Sequence, residues 1–221
     1  IGQIFNVHNK IDDAAALLTA EAVIVLLVLQ NMEGGCFFIV KRTAAPVASA
    51  LGLQGHIAPH YIQNVVSGGQ LVHGMMHPEA GHILVTRDPR DTIGEHSACP
   101  FHDNCLEGLI AGPGVKKRWD GKSAGDMADD PEAMDLLAGY LAQALMTYTL
   151  CYAPQKIIIG GGVADHTPIV PLARKKCAEM LNGYIVTPEV NDIDTYIVNN
   201  SLEGKQGIMG CLALGAAALQ L

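Results

Sequence analysis

His82, Cys99, His102 and Cys105 are the residues of this sequence whose types and spacing imply chemistry most directly. Two thiolates and two imidazoles suit a zinc ion, which prefers four tetrahedral nitrogen and sulfur ligands and brings no redox chemistry of its own. The run Cys99-Pro-Phe-His102-Asp-Asn-Cys105 lets one tight turn present three ligands, and Pro100 keeps that turn from winding into a regular helix. His82 closes the set from upstream. His96 is an alternative fourth ligand, because separation along the chain does not choose between the two histidines. The competing reading is a pair of buried free cysteines with two surface histidines.

Two carboxylates flank this cluster, in Glu79-Ala-Gly-His82 and in Leu106-Glu107-Gly108. Carboxylates accept hydrogen bonds from vicinal hydroxyls, and a metal-held imidazole is fixed in rotamer and tautomer, so the group is suited to holding a polyol. A solvated acidic face is the plainer alternative. Further on, Gly160-Gly161-Gly162 follows the apolar run Lys156-Ile-Ile-Ile159. Glycines after a buried strand let backbone amides approach phosphate or ribose; a simple tight turn needs them equally.

The elements that must position these residues read as an α/β layer fold with a mainly parallel sheet. Ile83 to Thr86 predicts a strand. Asp130 before Pro131 marks a helix start, and Met134, Leu137, Leu141 and Leu145 recur at spacings of three and four until Pro154 forbids continuation. Lys156 to Ile159 predicts a buried strand by its β-branched residues. A second helix starts at Thr167-Pro168 and ends at Asn182-Gly183, which can take a left-handed cap. Tyr196 to Val198 predicts a strand, and Ile208 to Leu219 a helix rich in small residues. Upstream, Asp12 to Leu29 reads as a helix running into a strand, and residues 36 to 72 carry no clean period.

The 221 residues are 49% hydrophobic and can bury a substantial core, and the formal charge of -8 argues against non-specific nucleic-acid binding, which selects clustered Lys and Arg. The longest apolar run, Ala22 to Leu29, is far shorter than the ~20 residues of a membrane span. Six cysteines in a chain able to form a good core are not needed as staples, which points to a reducing cytoplasm. Because the sequence opens at Ile1 without Met, a preceding segment of the natural protein is expected.

His77-Pro-Glu-Ala-Gly-His82, Cys99-Pro-Phe-His102-Asp-Asn-Cys105-Leu-Glu107-Gly and Ala111-Gly-Pro113 together resemble the ROK family of bacterial sugar kinases and repressors, in the form of its fructokinase branch. The resemblance continues through Ile157-Ile-Ile-Gly160-Gly-Gly-Val163, Leu181-Asn-Gly-Tyr184, Asp192-Ile-Asp-Thr-Tyr-Ile197 and Gly207 to Gly215, and so covers Gly69 to the C-terminus. It implies an actin-like, ribonuclease-H-like ATPase fold, mainly its C-terminal lobe over residues 69–221 with a zinc loop at about 82–105, while residues 1–68 are a poorly matched remnant of the N-terminal part.

The resemblance also implies ATP-dependent phosphorylation of a hexose, fructose to fructose 6-phosphate, with magnesium. Glu79, His82 and Glu107 would contact the sugar. His82, Cys99, His102 and Cys105 would bind a structural zinc, and Gly160, Gly161 and Gly162 would lie along ATP. The aspartate that takes the hydroxyl proton maps onto Asp13, with Asp12 as a rival, although Ala15 stands where the family carries a sugar-contacting Asn. Neither of the family's two glycine-rich phosphate loops is found in this sequence, so the alternative is a non-catalytic sugar-binding or regulatory relative. No helix-turn-helix signal accompanies it. Family members are often homodimers, and the apolar composition permits such an interface.

Overall fold

A computed structural model describes residues 23–28, 63–67, 70–72, 74–76 and 78–201. Its sheet has the order β3-β2-β1-β4-β5, formed by β1 (Val23–Val28), β2 (Gln63–Ser67), β3 (Gln70–Leu71), β4 (Lys156–Gly160) and β5 (Ile197–Asn199). Within the apolar run at Ala22 to Leu29, Val23–Val28 is thus a strand, in register with the isoleucine run through Val25↔Ile157 and Leu27↔Ile159. β1 pairs with β4, and β4 with β5, in parallel. β2 lies antiparallel to both β1 and β3. The sheet is therefore mixed rather than mainly parallel: the half built from β1, β4 and β5 needs long crossovers, whereas β2 and β3 are separated only by Gly68-Gly69, a pair that two-residue hairpin loops favour.

Helix α3 (Pro131–Tyr152) supplies the central packing layer, after the short helices α1 (Leu106–Ile110) and α2 (Gly112–Arg118). Asp130 caps its start, its Oδ1 accepting from the amides of Glu132 and Ala133 at 3.0 Å each. It ends where Ala153 adopts a left-handed conformation, φ 43°, just before Pro154. Met134, Leu137, Leu141 and Leu145 are all buried, as their spacing predicts, and each stabilises the fold by roughly 1.5–3 kcal/mol relative to exposure. α4 (Gly162–Asp165) and α5 (Ile169–Leu181) follow β4; α5 packs on α3 and ends at Asn182, φ 47°, ahead of Gly183, φ 70°. α6 (Pro188–Asn191) and α7 (Ile193–Tyr196) lead into β5, so Tyr196, predicted to start a strand, instead ends a helix with its ring buried.

One predicted strand is corrected. Ile83 to Thr86 forms only the isolated bridge Leu84↔Cys105. At its last residue a side chain stands where a strand would: the Gln143 side chain on α3 accepts from the Thr86 amide at 2.8 Å and donates to the Thr86 carbonyl at 3.0 Å. The predicted helix at Ile208 to Leu219, the helical part of Asp12 to Leu29, and most of residues 36–72 lie outside the described residues. Among the described residues no helix is long and apolar enough to cross a membrane.

Candidate metal centre and adjoining turn

Residues 79–85 enter the site as a single 3-10 turn, Ala80–His82, followed by extended chain. The turn closes through the His82 amide, which donates to the Glu79 carbonyl at 2.9 Å. Beyond it the chain runs beside residues 104–106: the Val85 amide donates to the Asn104 carbonyl and the Leu106 amide to the Ile83 carbonyl, both at 3.0 Å. Asn104 Nδ2 adds a bond to the Val85 carbonyl at 3.0 Å. This ladder fastens His82 next to Cys105.

The loop from Ser97 to Cys105 has little regular structure and is shaped by side chains. Ser97 Oγ donates to the His102 carbonyl at 2.6 Å and accepts from the Cys99 amide at 3.0 Å, folding Cys99 and His102 towards each other. The Ala98 amide donates to the Gly108 carbonyl at 3.0 Å. Gly108 is required here, because a Cβ would stand 2.2 Å from Ser97 Oγ and 2.8 Å from Cys99 Cβ. Cys105 caps α1, its Sγ accepting from the Gly108 amide at 3.4 Å.

The result is one cluster in which the donor atoms of His82, Cys99, His102 and Cys105 all lie within 4.8 Å of one another. Cys99 Sγ is 3.8 Å from His82 Nδ1 and 3.7 Å from His102 Nδ1. Ligands on a tetrahedral zinc ion, with Zn–N and Zn–S lengths of about 2.0 and 2.3 Å, stand roughly 3.3–3.8 Å apart, so the set fits such an ion with small adjustment. Burial, together with the neighbouring Cys99, pushes the Cys105 thiol up to about 12, against the opposing hydrogen bond from Gly108. Without a cation that sulfur keeps its proton; a divalent ion would take the proton's place.

Which histidine completes the set is decided by geometry. His96 turns away, Nδ1 lying 2.8 Å from Asp103 Oδ1 in an exposed pair. His82 faces both ways: Nδ1 points to the cluster, while Nε2 lies 3.9 Å from Glu107 Oε2. The ring is therefore held between the sulfur cluster and a half-buried carboxylate on α1, an arrangement that sets its orientation. Glu79 stands at the exposed start of the same turn.

The brace behind the loop escaped sequence reasoning. Asp91 and Arg118 form a bidentate pair, Nε to Oδ1 at 2.7 Å and Nη2 to Oδ2 at 2.9 Å, with both side chains 0% exposed. Arg118 Nη1 also donates to the Leu109 carbonyl, the Tyr140 hydroxyl donates to Asp91 Oδ2 at 2.7 Å, and the Ile93 amide donates to Asp91 Oδ1 at 2.9 Å. Burial pushes the Asp91 carboxyl upward, but Arg118 and these donors outweigh it, and the group ends below the ordinary carboxylate range. Lys117 Nζ bonds the carbonyls of His96 and Ser97 at 2.7 and 3.1 Å, so α2 grips both ends of the segment leading into the metal loop. The run Val115-Lys-Lys-Arg118-Trp119 carries no periodicity or motif that sets Arg118 apart from its neighbours; an Arg beside an aromatic, at a spacing that could face the core, is the faint signal it offers.

Gly160, Gly161 and Gly162 occupy a different place, the carboxyl end of β4. Gly160 packs against Asn200, whose amide donates to the Ile159 carbonyl at 2.8 Å. Gly161 has φ 99°, a conformation that L side chains rarely adopt, and its carbonyl accepts from the Asp165 amide at 2.9 Å to start α4. Carboxyl ends of parallel strands are where open α/β sheets bind ligands. Asp13 and Asp12 lie outside the described residues.

The sequence profile described as "ROK family" matches residues 63–218. A fructokinase of Pediococcus pentosaceus is 42% identical over 156 residues, 71% of this chain and 52% of that protein. A fructokinase of Zymomonas mobilis is 36% identical over 156 residues, 70% of this chain and 50% of that protein. The chain thus spans about half the length of the curated relatives it matches. Among solved structures, the ROK hexokinase from Thermus thermophilus superposes with a TM-score of 0.59 at 19% identity, covering 94% of this chain and 64% of that one. A ROK glucokinase from Streptomyces griseus, in complex with glucose and AMPPNP, gives 0.54 at 16% identity, covering 95% and 67%. These likenesses establish the α/β, actin-like fold.

Proposed function

From the premise that this chain belongs to the ROK family, we propose that it carries the zinc- and sugar-binding part of an ATP-dependent hexose kinase, phosphorylating fructose to fructose 6-phosphate. One observation supports this reading above the rest: the His82 ring stands between the Cys/His cluster and Glu107, so that an ion held by the cluster fixes a polar group beside a carboxylate suited to a sugar. In this reading His82, Cys99, His102 and Cys105 hold a structural zinc. Glu79, His82 and Glu107 accept from and donate to hexose hydroxyls, and Gly160, Gly161 and Gly162 lie along ATP. Residues 69–221 form the C-terminal lobe, with the zinc loop at about 82–105.

The reaction transfers the γ-phosphoryl group of ATP to the 6-hydroxyl, a step governed by positioning and charge neutralisation. Asp13 takes the hydroxyl proton. Magnesium, when bound with the nucleotide, neutralises the phosphate charge. The residues of the metal centre do no bond-making; they orient Glu107 and the His82 ring against the sugar. The protein works in the cytoplasm, as a homodimer, without nucleic acid or membrane.

A second reading, a non-catalytic sugar-binding or regulatory relative, is favoured by the stretch Phe37 to Pro46, which stands where the family's second phosphate loop belongs and lacks its glycines. Coupled ADP release with fructose, glucose and mannose, with zinc measured on the same sample, separates them. Fructose-dependent turnover with about one zinc per chain supports the kinase. Zinc and hexose binding without turnover supports the relative, and absence of hexose binding sinks both.

A further inference from the structure

The turn that carries Glu79 and His82 is held only weakly by its own backbone hydrogen bonds. It is a single three-residue 3-10 turn, and its second bond, from the Ile83 amide to the Ala80 carbonyl, is stretched to 3.4 Å. So short a turn gains no helical cooperativity, and its direction must be set from outside. The ladder beyond Ile83 steadies one end. At the other, Tyr148 reaches in from α3 and its hydroxyl donates to the Ala80 carbonyl at 2.7 Å. That hydroxyl is buried, and the ring is 1% exposed and braced by Tyr152 at a centroid distance of 6.5 Å. Burial holds its acidity far below that of an ordinary tyrosine, so it remains a donor.

We propose that Tyr148 is a positioning residue for the hexose-binding turn: by fixing the Ala80 carbonyl from the body of α3, it sets the direction in which Glu79 and His82 leave the turn. The proposal rests on the reading of Glu79 and His82 as sugar contacts. The bond joins residues 68 positions apart, so it couples the turn to the principal helix of the core rather than to the loop beside it.

Tyr148→Phe keeps the ring and removes only the donor. Tyr196→Phe is its matched control, losing an equally buried phenol bond, to Thr149 Oγ1 at 3.1 Å, away from the turn. In the intact, zinc-loaded protein, Tyr148→Phe is expected to raise the KM for hexose about five- to tenfold, the worth of one hydrogen bond, with kcat within about twofold. Tyr196→Phe is expected to leave KM at the wild-type value. Equal KM values in the two variants overturn the proposal. Should the wild-type protein neither bind nor phosphorylate hexose, the kinase reading fails on its own account, and the strut is decided by the rate of zinc transfer to a chromophoric chelator. Transfer about fivefold faster in Tyr148→Phe than in wild type and Tyr196→Phe supports it; identical rates overturn it.

Discussion

The Cys/His loop and the glycine corner are two ways of shaping a segment at the edge of one core. The corner, residues 156–165, is regular structure: a strand, one glycine with φ 99° and a helical turn, in which backbone bonds do the positioning. The loop, residues 86–105, is almost wholly irregular and depends on side chains: Gln143 stands in for a strand, Ser97 for a turn, and the Asp91–Arg118 pair for a hydrophobic anchor. Backbone-built corners tolerate change outside their glycines. A side-chain-built loop concentrates its stability in a few bonds, and an ion held by the four clustered residues would then matter most.

That contrast breaks if Cys105→Ser leaves the loop intact. Expected instead is loss of bound zinc from about one ion per chain to near none, with protease cleavage appearing within residues 86–105 and none at the corner. Metal analysis and limited proteolysis check this, and unchanged zinc in this variant or in Cys99→Ser removes the ligand assignment.

Next in size is Arg118→Met, which strands a buried carboxylate and is expected to cost about 3–5 kcal/mol by denaturant unfolding. Its pH signature has a definite sign. Asp91 is more acidic when folded, so it contributes stability that is present above the unfolded pKa of ~3.9 and is lost as pH falls through the lowered folded value. In the variant the carboxyl has lost its cation and is raised by burial, so protonating it favours the folded state, and the stability gap between variant and wild type should narrow as pH falls below about 4. A gap that stays constant into acid rules out the pair as the brace.

Two alanine substitutions sharpen the comparison at smaller cost. Gly108→Ala drives a methyl into Ser97 and Cys99, and is expected to cost about 1–3 kcal/mol and to weaken zinc binding. Gly160→Ala meets Asn200 Nδ2 at 2.9 Å and its Cβ and Cγ at 3.3 Å, a looser fit than at Gly108, so its cost should be smaller, about 1 kcal/mol, with zinc unaffected. Paired thermal melts and zinc titrations decide; equal effects would mean the corner is as tightly built as the loop. Smallest is His96→Ala, expected to keep its zinc and to lie within about 0.5 kcal/mol of wild type, since the exposed His96–Asp103 pair stands outside the cluster.

Sequence reasoning succeeded where local rules and packing agree. The three- and four-residue spacing along Met134 to Leu145, the Asp130 cap, the Asn182-Gly183 end and the β-branched run at 157–159 all signal their structure locally, and the structure follows them. The spacing of Cys99, His102 and Cys105 named a cluster that does assemble. What stayed illegible is non-local. His82 and His96 could not be told apart, because the choice is made by a ladder between residues 83–85 and 104–106. The apolar pattern of Ile83 to Thr86 predicts a strand, but its partners are the segment at residues 104–106 and, for Thr86, a glutamine 57 positions away, neither of which the local pattern shows. Nothing in the sequence around Asp91 or Arg118 marks the two as a buried pair; only the fold brings them together.

The Asp91–Arg118 pair also has a consequence on an evolutionary scale. Replacing either residue alone leaves the other charged and dry, a fitness valley that single substitutions cross badly, whereas replacing both with apolar residues of matching volume can be neutral. Lineages related to this chain should therefore inherit the two positions as a unit, drifting together from ionic to apolar and seldom appearing half changed. A sequence collection in which mixed states are common would show that water reaches these groups more readily in the relatives than it does here.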